Sequence, residues 1–292
     1  MMGSSRFRSS PAKRVARRLP FGLIELALFR HEAAWLRFGV KRPGQQDPSV
    51  ILFTLHKVAS TFTHELLGYV NTELLGLRRM DWDKYIHNKF PTDTTTWMSE
   101  HVDQLFHDSG YMYGPFRASL PVSDLGRYRV LMILRDPRDI LTSAYFSEAF
   151  SHAPPLLPER LAELEERRIR VQAMSIDEFV TEKADELLGS LDDYRRLADT
   201  YGVRPLTYTQ MMSDWDGFMD GVQDALGVRI SQYHRDVLKT KGRIGEELGD
   251  NANEHLRRGT PGDHVDKLQP DTVRHLTTVF ASHLEWLGEE PA

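Results

Sequence analysis

One short segment of the chain, residues 55–61 (LHKVAST), combines an ammonium group, small residues and two hydroxyls. Ser60 and Thr61 suit the start of a helix, where free backbone N–H groups and the positive end of the helix dipole attract anions. Together with Lys57, they predict a cradle for a phosphate or sulfate group. The Walker A spacing is absent, because Lys57 precedes the small residues instead of following them. An ordinary capped helix beside a surface lysine is the alternative interpretation.

Two further basic segments can hold anions. Arg135 follows an apolar run, and Ser143 lies in the helix predicted after it, so a guanidinium and a hydroxyl can face one edge of a sheet. Arg257 and Arg258 precede Gly259, which lets the backbone approach a ligand closely, although a solvated arginine pair is the alternative. Three separated anion-binding elements suit a nucleotide with phosphates at both ends of its ribose.

Continuous apolar runs predict the strands that position these residues, at residues 50–55, 128–134 and 205–208. A helical pattern follows each strand, and Asp136 and Pro137 suit the cap and the first turn of the second helix. Strands that alternate with helices predict a parallel sheet covered on both faces, with ligands beyond the carboxyl ends of its strands. We therefore expect an α/β, three-layer P-loop-like fold with a central parallel sheet of about five strands flanked by helices.

The other segments predict helices and one long loop. Charged residues at i,i+4 spacing predict a long exposed helix over residues 158–188. Helical patterns also cover residues 209–226 and 271–287. Residues 242–268 are rich in Gly, Asn, Asp and Arg with little periodicity, which predicts a long loop, and loops of that length are often functional.

The composition excludes several classes of function. The chain has 292 residues, a formal net charge of −5 and no cysteine. This acidic balance gives no overall basic face for nucleic acid. The lack of cysteine rules out disulfides, thiolate metal sites and thiol nucleophiles, and it makes the cytoplasm the expected compartment. No HExxH motif or tight carboxylate cluster predicts a metal site, and the sequence leaves the oligomeric state open.

The N-terminal region, residues 1–48, is predicted to be a basic arm and an amphipathic helix in front of a single catalytic domain at 49–292. The arm has no acidic residue before position 21. Its basic residues are Arg6, Arg8, Lys13, Arg14, Arg17 and Arg18. The apolar-rich run that follows, residues 19–38, holds too many charges for a membrane span, and Glu25 interrupts any signal peptide. A solvated arm with a docked helix is favoured, and peripheral contact with an anionic membrane is the alternative.

Two motifs resemble those of sulfotransferases that depend on 3′-phosphoadenosine 5′-phosphosulfate (PAPS). HKVASTF resembles their 5′-phosphosulfate loop, and is closest to the K-T-A-S-T form of the carbohydrate sulfotransferases. VLMILRDPRDILTSAYF resembles their 3′-phosphate segment, with Arg135 and Ser143 in the places of its arginine and serine.

Two supporting motifs extend the resemblance over roughly residues 50–290. LRRGTPGDHVDKL looks like the Arg-Lys-Gly-x-x-Gly-Asp-Trp segment of the cytosolic branch, with a histidine in place of the tryptophan. This implies that Arg257, Arg258 and Gly259 bind the nucleotide. PLTYTQMM is similar to the family's Tyr-Glu-Asp segment, which would place Tyr208 near the adenine.

The resemblance implies an in-line displacement at sulfur, with adenosine 3′,5′-bisphosphate (PAP) as the product and no metal ion. Lys57 would neutralise the oxygen that leaves, aided by the loop of Val58, Ala59, Ser60 and Thr61. The acceptor would be a hydroxyl or amine of a carbohydrate, a lipid or a small molecule, and the sequence does not select among these.

The general base departs from the family pattern. Many members place a histidine on the strand before the 3′-phosphate segment, where this chain has Pro115. Asp83, in a region where other members carry a carboxylate, and His56, next to the cradle, are the remaining candidates. Two alternative functions stay open: a P-loop-type kinase or NTPase, which would need a carboxylate for Mg²⁺, and a non-catalytic nucleotide-binding adaptor at a membrane surface.

Overall fold

A single parallel sheet of five strands forms the centre of the computed structural model, which describes residues 21–39, 47–151, 158–245 and 261–290. The strands are β1 (Val50–Thr54), β2 (Arg78–Met80), β3 (Tyr111–Phe116), β4 (Arg129–Leu134) and β5 (Leu206–Thr207). Their order is β2-β3-β1-β4-β5, and every neighbouring pair is parallel. The predicted α/β fold is therefore confirmed, and the three strands predicted from apolar runs correspond to β1, β4 and β5.

Helices cover both faces of this sheet. They are α1 (Phe21–Leu28), α2 (Arg30–Phe38), α3 (Ser60–Val70), α4 (Trp82–Lys89), α5 (Thr94–Glu100), α6 (Val102–Leu105), α7 (Pro137–Phe146), α8 (Pro158–Gln172), α9 (Ile176–Tyr201), α10 (Tyr208–Ser213), α11 (Trp215–Leu226), α12 (Gln232–Gly242), α13 (Asp263–Lys267), α14 (Pro270–Val279) and α15 (Ala281–Leu287). As predicted, Asp136 caps α7 and Pro137 lies in its first turn.

The central strand β1 and its neighbour β3 are buried along their whole length. Every residue of β1 and β3 is buried, which explains why β1 reads as a continuous apolar run. The register between β1 and β3 shifts where β3 passes Leu52. There Gly114 has φ +98°, and a Cβ on it would lie 2.7 Å from the carbonyl oxygen of Leu52. Only glycine fits this position without a backbone shift.

Three segments that the sequence patterns predict as helical are each divided into two helices, two of them by side-chain caps. The helix predicted over residues 158–188 is two helices, because Ser175 and Glu178 form a capping box that starts α9. Asp214 accepts a hydrogen bond from Gly217 N at 3.0 Å, so it starts a new helix within residues 209–226. The predicted C-terminal helix is likewise interrupted at the buried Phe280. The helical character of all three segments is confirmed, but the single helices predicted over residues 158–188 and 271–287 are wrong, since periodicity does not mark the breaks.

The two N-terminal helices are anchored on the domain. Trp35 is buried, donates from Nε1 to the carbonyl of Gln104 at 2.7 Å, and packs edge-on against Trp82. The buried carboxylate of Glu32 accepts from the backbone N–H of Asp81 at 2.7 Å. None of the described helices combines the length and the apolar run that crossing a bilayer requires.

Candidate active site

The loop between β1 and α3 is built from left-handed backbone. Lys57 has φ 67° and Ala59 has φ 45°, and Val58 between them is fully buried. The left-handed region costs a non-glycine residue roughly 1–2 kcal/mol, and strain of this kind concentrates at functional sites. Left-handed residues beside right-handed ones turn successive N–H groups toward a common concavity. The loop then enters the first turn of α3 at Ser60.

This backbone lies where the sequence predicts an anion cradle. The helix α3 that begins at Ser60 directs its free N–H groups toward the carboxyl end of β1. The side chain of Thr63 donates to the carbonyl of Ala59 at 3.1 Å and holds the loop against the helix. The side chains of Ser60 and Thr61 lie outside the described part of the structure. The anion cradle therefore stays a prediction, and the described part of it is the backbone of the loop with the side chains around it.

Arg135, which follows β4, contacts both the loop of Lys57 and the ring of Tyr208. It follows β4, which pairs directly with β1, and its Nη1 donates to the carbonyl of Lys57 at 3.2 Å. Its guanidinium carbon lies 4.5 Å from the ring centroid of Tyr208, which begins α10 after β5. Its buried Nε has no hydrogen-bond partner among the described residues. The carboxyl ends of β1, β4 and β5 thus bring the loop of Lys57, the arginine and the tyrosine together.

Asp139 organises the surroundings of Arg135 and was not singled out by the sequence analysis. Its side chain has no exposed surface, and Oδ2 accepts from Arg135 Nη2 at 3.3 Å. The same oxygen accepts from Gly262 N at 2.9 Å, and Oδ1 accepts from His264 Nδ1 at 2.8 Å. Burial raises the pKa of Asp139, but the His264 hydrogen bond, the charge of Arg135 and the Gly262 N–H outweigh it and lower the pKa to about 2. The carboxylate is therefore ionised and binds α7 to the segment that begins α13.

Ser143 lies on the same helix as Asp139. The two residues are four positions apart on α7, so their side chains share one face of the helix. Ser143 is half-buried there. Residues 257–259, the predicted arginine pair and glycine, lie outside the described residues. The chain is described again from Pro261, directly before Gly262, whose N–H is bonded to Asp139.

Two solved structures that are similar to this one are described as complexes with PAP. Mouse sulfotransferase SULT7A1 complexed with PAP aligns with a TM-score of 0.53 at 11% identity, covering 83% of this chain and 85% of that chain. Retinol dehydratase in complex with androsterone and inactive cofactor PAP aligns with a TM-score of 0.50 at 15% identity, covering 81% of this chain and 80% of that chain. The chain has the sulfotransferase fold. No protein-family model matches the sequence, and no characterised protein matches it at the level of sequence.

In this sulfotransferase fold, a second polar cluster lies on the other side of the loop between β1 and α3. Strand β3 pairs with β1 on the side opposite β4, and Arg117 follows β3 directly. Arg117 Nη1 donates to Asp83 Oδ2 at 2.6 Å. Burial raises the pKa of Asp83, and the charge of Arg117 opposes that rise. His56, the other predicted base, is exposed between β1 and Lys57.

His64 and Arg79 complete this cluster, and the sequence analysis missed both. His64 lies one helical turn after Ser60 on α3, and Arg79 Nη2 lies 2.7 Å from its Nδ1. A Cβ on Gly68, one turn further along α3, would lie 3.2 Å from Arg79 Nη1, so the guanidinium lies along this face of the helix. Burial lowers the pKa of His64, and the charge of Arg79 lowers it further. Ser60, His64 and Gly68 are each four residues apart, and this helical spacing is the sequence pattern that could have identified the face.

Glu148 is a third group that the sequence analysis missed. It lies in the π-helical turn Ser147–Ser151 that follows α7, and such turns are frequent at functional sites. Burial raises the pKa of Glu148, and the positive charges that oppose the rise include Lys57. Its carboxylate is thus within electrostatic range of the cradle. Within the described ranges, no group of three His, Asp or Glu side chains is placed to hold a metal ion.

Proposed function

We propose that this protein is a PAPS-dependent sulfotransferase that transfers a sulfuryl group to a hydroxyl or amine of a carbohydrate, lipid or small-molecule acceptor. The main support for this proposal is a set of contacts made by one arginine. Arg135, at the end of β4, contacts the carbonyl of Lys57 at 3.2 Å and stacks on Tyr208. The sheet topology therefore places the elements proposed for the 5′-phosphosulfate, the 3′-phosphate and the adenine beside one another.

Each end of the nucleotide has a proposed set of residues. Lys57 and the backbone N–H groups that follow it hold the 5′ end, and Arg135 with Ser143 holds the 3′-phosphate. A guanidinium binds phosphate oxygens through two parallel N–H groups, and the buried Nε of Arg135 is still available for one of them. The proposed nucleotide-binding residues are Lys57, Val58, Ala59, Ser60, Thr61, Arg135, Ser143, Tyr208, Arg257, Arg258 and Gly259.

PAPS supplies an activated sulfuryl group, and the residues of this chain stabilise the change in charge as it is transferred. The bond between sulfur and the acceptor oxygen or nitrogen forms as the bond to the 5′-phosphate oxygen breaks. Lys57 and the loop N–H groups neutralise the charge that develops on that phosphate oxygen. The acceptor loses its proton to a base on the β3 side of the loop.

Asp83 is the proposed base. It is partly buried beside the carboxyl end of β3, and this burial raises its pKa, which makes the carboxylate a better proton acceptor. Arg117, bonded to it at 2.6 Å, holds the carboxylate in one orientation. His56 and Glu148 are the other groups near Lys57 that can act as bases.

The first prediction concerns nucleotide binding. In calorimetric titration with EDTA present, the folded wild type is expected to bind PAP, and Arg135→Ala to bind it roughly 30–100-fold more weakly. Hydrogen bonds to a charged group are worth about 1.5–3 kcal/mol, and each 1.4 kcal/mol is about tenfold in affinity. Arg196→Ala is the matched control, because Arg196 is 73% exposed and pairs only at the surface. A folded wild type that does not bind PAP would overturn the proposed function.

The second prediction concerns the base. Asp83→Asn is expected to lower kcat by roughly 10²–10⁴-fold, the range for loss of a general base, with little change in PAP affinity. Turnover is measured as PAP released from PAPS with a panel of a phenol, a monosaccharide and a long-chain alcohol. His56→Gln and Glu148→Gln are assayed in parallel and are expected to retain most of the activity. If one of these loses activity instead and Asp83→Asn keeps it, the base is that residue.

A further inference from the structure

The first helix of the structure has an apolar sequence, and both of its leucines with described side chains are exposed. Its sequence, FGLIELAL, has Glu25 as its one ionisable residue. Glu25 faces the domain, where it accepts from the hydroxyl of Tyr85 at 2.5 Å and pairs with Lys89. Leu23 is 52% exposed and Leu28 is 60% exposed. A helix that is hydrophobic all round is normally covered by protein or lipid, and Leu23 and Leu28 lack that cover.

The second helix adds apolar and basic groups to the same region. Phe38, at the end of α2, is 71% exposed. Arg30 and Arg37 on the same helix are exposed as well. The buried Phe29 and Trp35 fix α1 and α2 to the domain, so these exposed residues are held on a rigid support. We call Leu23, Leu28, Arg30, Arg37 and Phe38 the N-terminal surface.

We propose that the N-terminal surface docks on an anionic lipid membrane, lying in its interface without crossing it. With eight residues, α1 is about 12 Å long, too short to span the hydrocarbon core. Exposed leucine and phenylalanine side chains with flanking arginines are the composition of an interfacial helix.

Charge selects a lipid membrane over a second copy of the chain as the partner. The twenty residues before α1 carry six basic residues and no acidic one, although the whole chain has a net charge of −5. This positive arm is continuous in sequence with α1, which begins at residue 21. Stable attachment to a membrane takes two signals, and an apolar helix with a basic segment provides both. Two copies meeting through this surface would bring two positive arms together, which opposes self-association.

The test is co-sedimentation of the full chain with vesicles. The wild type is expected to bind vesicles of phosphatidylcholine mixed with phosphatidylserine, and to bind pure phosphatidylcholine at least about tenfold more weakly. The triple variant Leu23→Ser, Leu28→Ser and Phe38→Ser is expected to lower binding to the anionic vesicles by roughly tenfold or more. Added salt lowers the binding of the wild type, because the basic groups are screened.

The control carries substitutions of the same kind on other surfaces. Ile169 and Tyr233 are each 70% exposed, and the variant Ile169→Ser with Tyr233→Ser is expected to bind vesicles as the wild type does. Urea unfolding and light scattering establish that each variant is folded and report its size. A wild type that does not bind anionic vesicles overturns the proposal. A lipid-free dimer that the triple variant abolishes overturns it too, in favour of a second copy as the partner.

Discussion

Replacing Lys57 with alanine is expected to lower the turnover of sulfuryl transfer by roughly 10²–10³-fold, the loss that follows removal of one group that stabilises developing charge. Lys57 lies in the loop between β1 and α3, where the N–H groups of the helix start also collect. Its ammonium supplies positive charge to that loop, and the proposed chemistry builds negative charge there only as the phosphate oxygen leaves. The lost interaction therefore belongs to the transition state, and kcat falls more than PAP affinity does.

The variant is expected to fold normally. Lys57 has φ 67°, and the nearby Ala59 already holds φ 45°, so alanine is tolerated in the left-handed region of this loop. PAP release from PAPS is measured with the acceptor panel, and PAP affinity by calorimetry on the same sample. Lys239→Ala, which removes an exposed lysine of α12, is the matched control and should keep full turnover. A Lys57→Ala variant with unchanged kcat would remove Lys57 from the proposed mechanism.

The parts of the fold that the sequence predicted are those fixed by local pattern. Strands β1 and β4 are continuous apolar runs because both faces of a central parallel strand are buried. Strand β2 has only three residues at the edge of the sheet, and it begins with two arginines, so no apolar run marks it. The boundaries of the helices depend on single caps such as Ser175 and Asp214. A cap changes the path of the chain without changing the periodicity around it.

The residues of the candidate site also differ in how clearly the sequence marks them. Lys57, Ala59 and Ser60 are consecutive or nearly so, and their types alone indicate a loop that binds anions. Contacts between segments that are far apart in sequence are not marked by any local pattern of residue types. His264 and Asp139 are 125 positions apart in sequence, and only the docking of α13 on α7 brings them within 2.8 Å. Asp139 had one local signal, its position four residues after Arg135, which is the spacing of a helical ion pair.

Asp139→Asn is expected to reduce the free energy of unfolding by about 3–5 kcal/mol, the cost of removing one partner from a buried ion pair. The substitution keeps the shape of the side chain but removes the charge that faces Arg135. It also places an amide group against N–H donors, since Gly262 N and His264 Nδ1 both donate to the carboxylate. Urea unfolding measures the difference. The exposed pair of Asp193 and Arg196 is the control, and Asp193→Asn should cost less than about 1 kcal/mol.

The pH dependence separates the charge of Asp139 from its shape. Its pKa is about 2 in the folded protein against an ordinary value of 3.8, so its ionised form stabilises the fold. That contribution is present above the ordinary pKa and is lost as pH falls from about 4 through 2, and it amounts to about 2 kcal/mol. The gap in unfolding free energy between the wild type and Asp139→Asn should therefore shrink by that amount over this range. A gap that stays constant as the pH falls would mean that packing, and not the charge beside Arg135, makes Asp139 important.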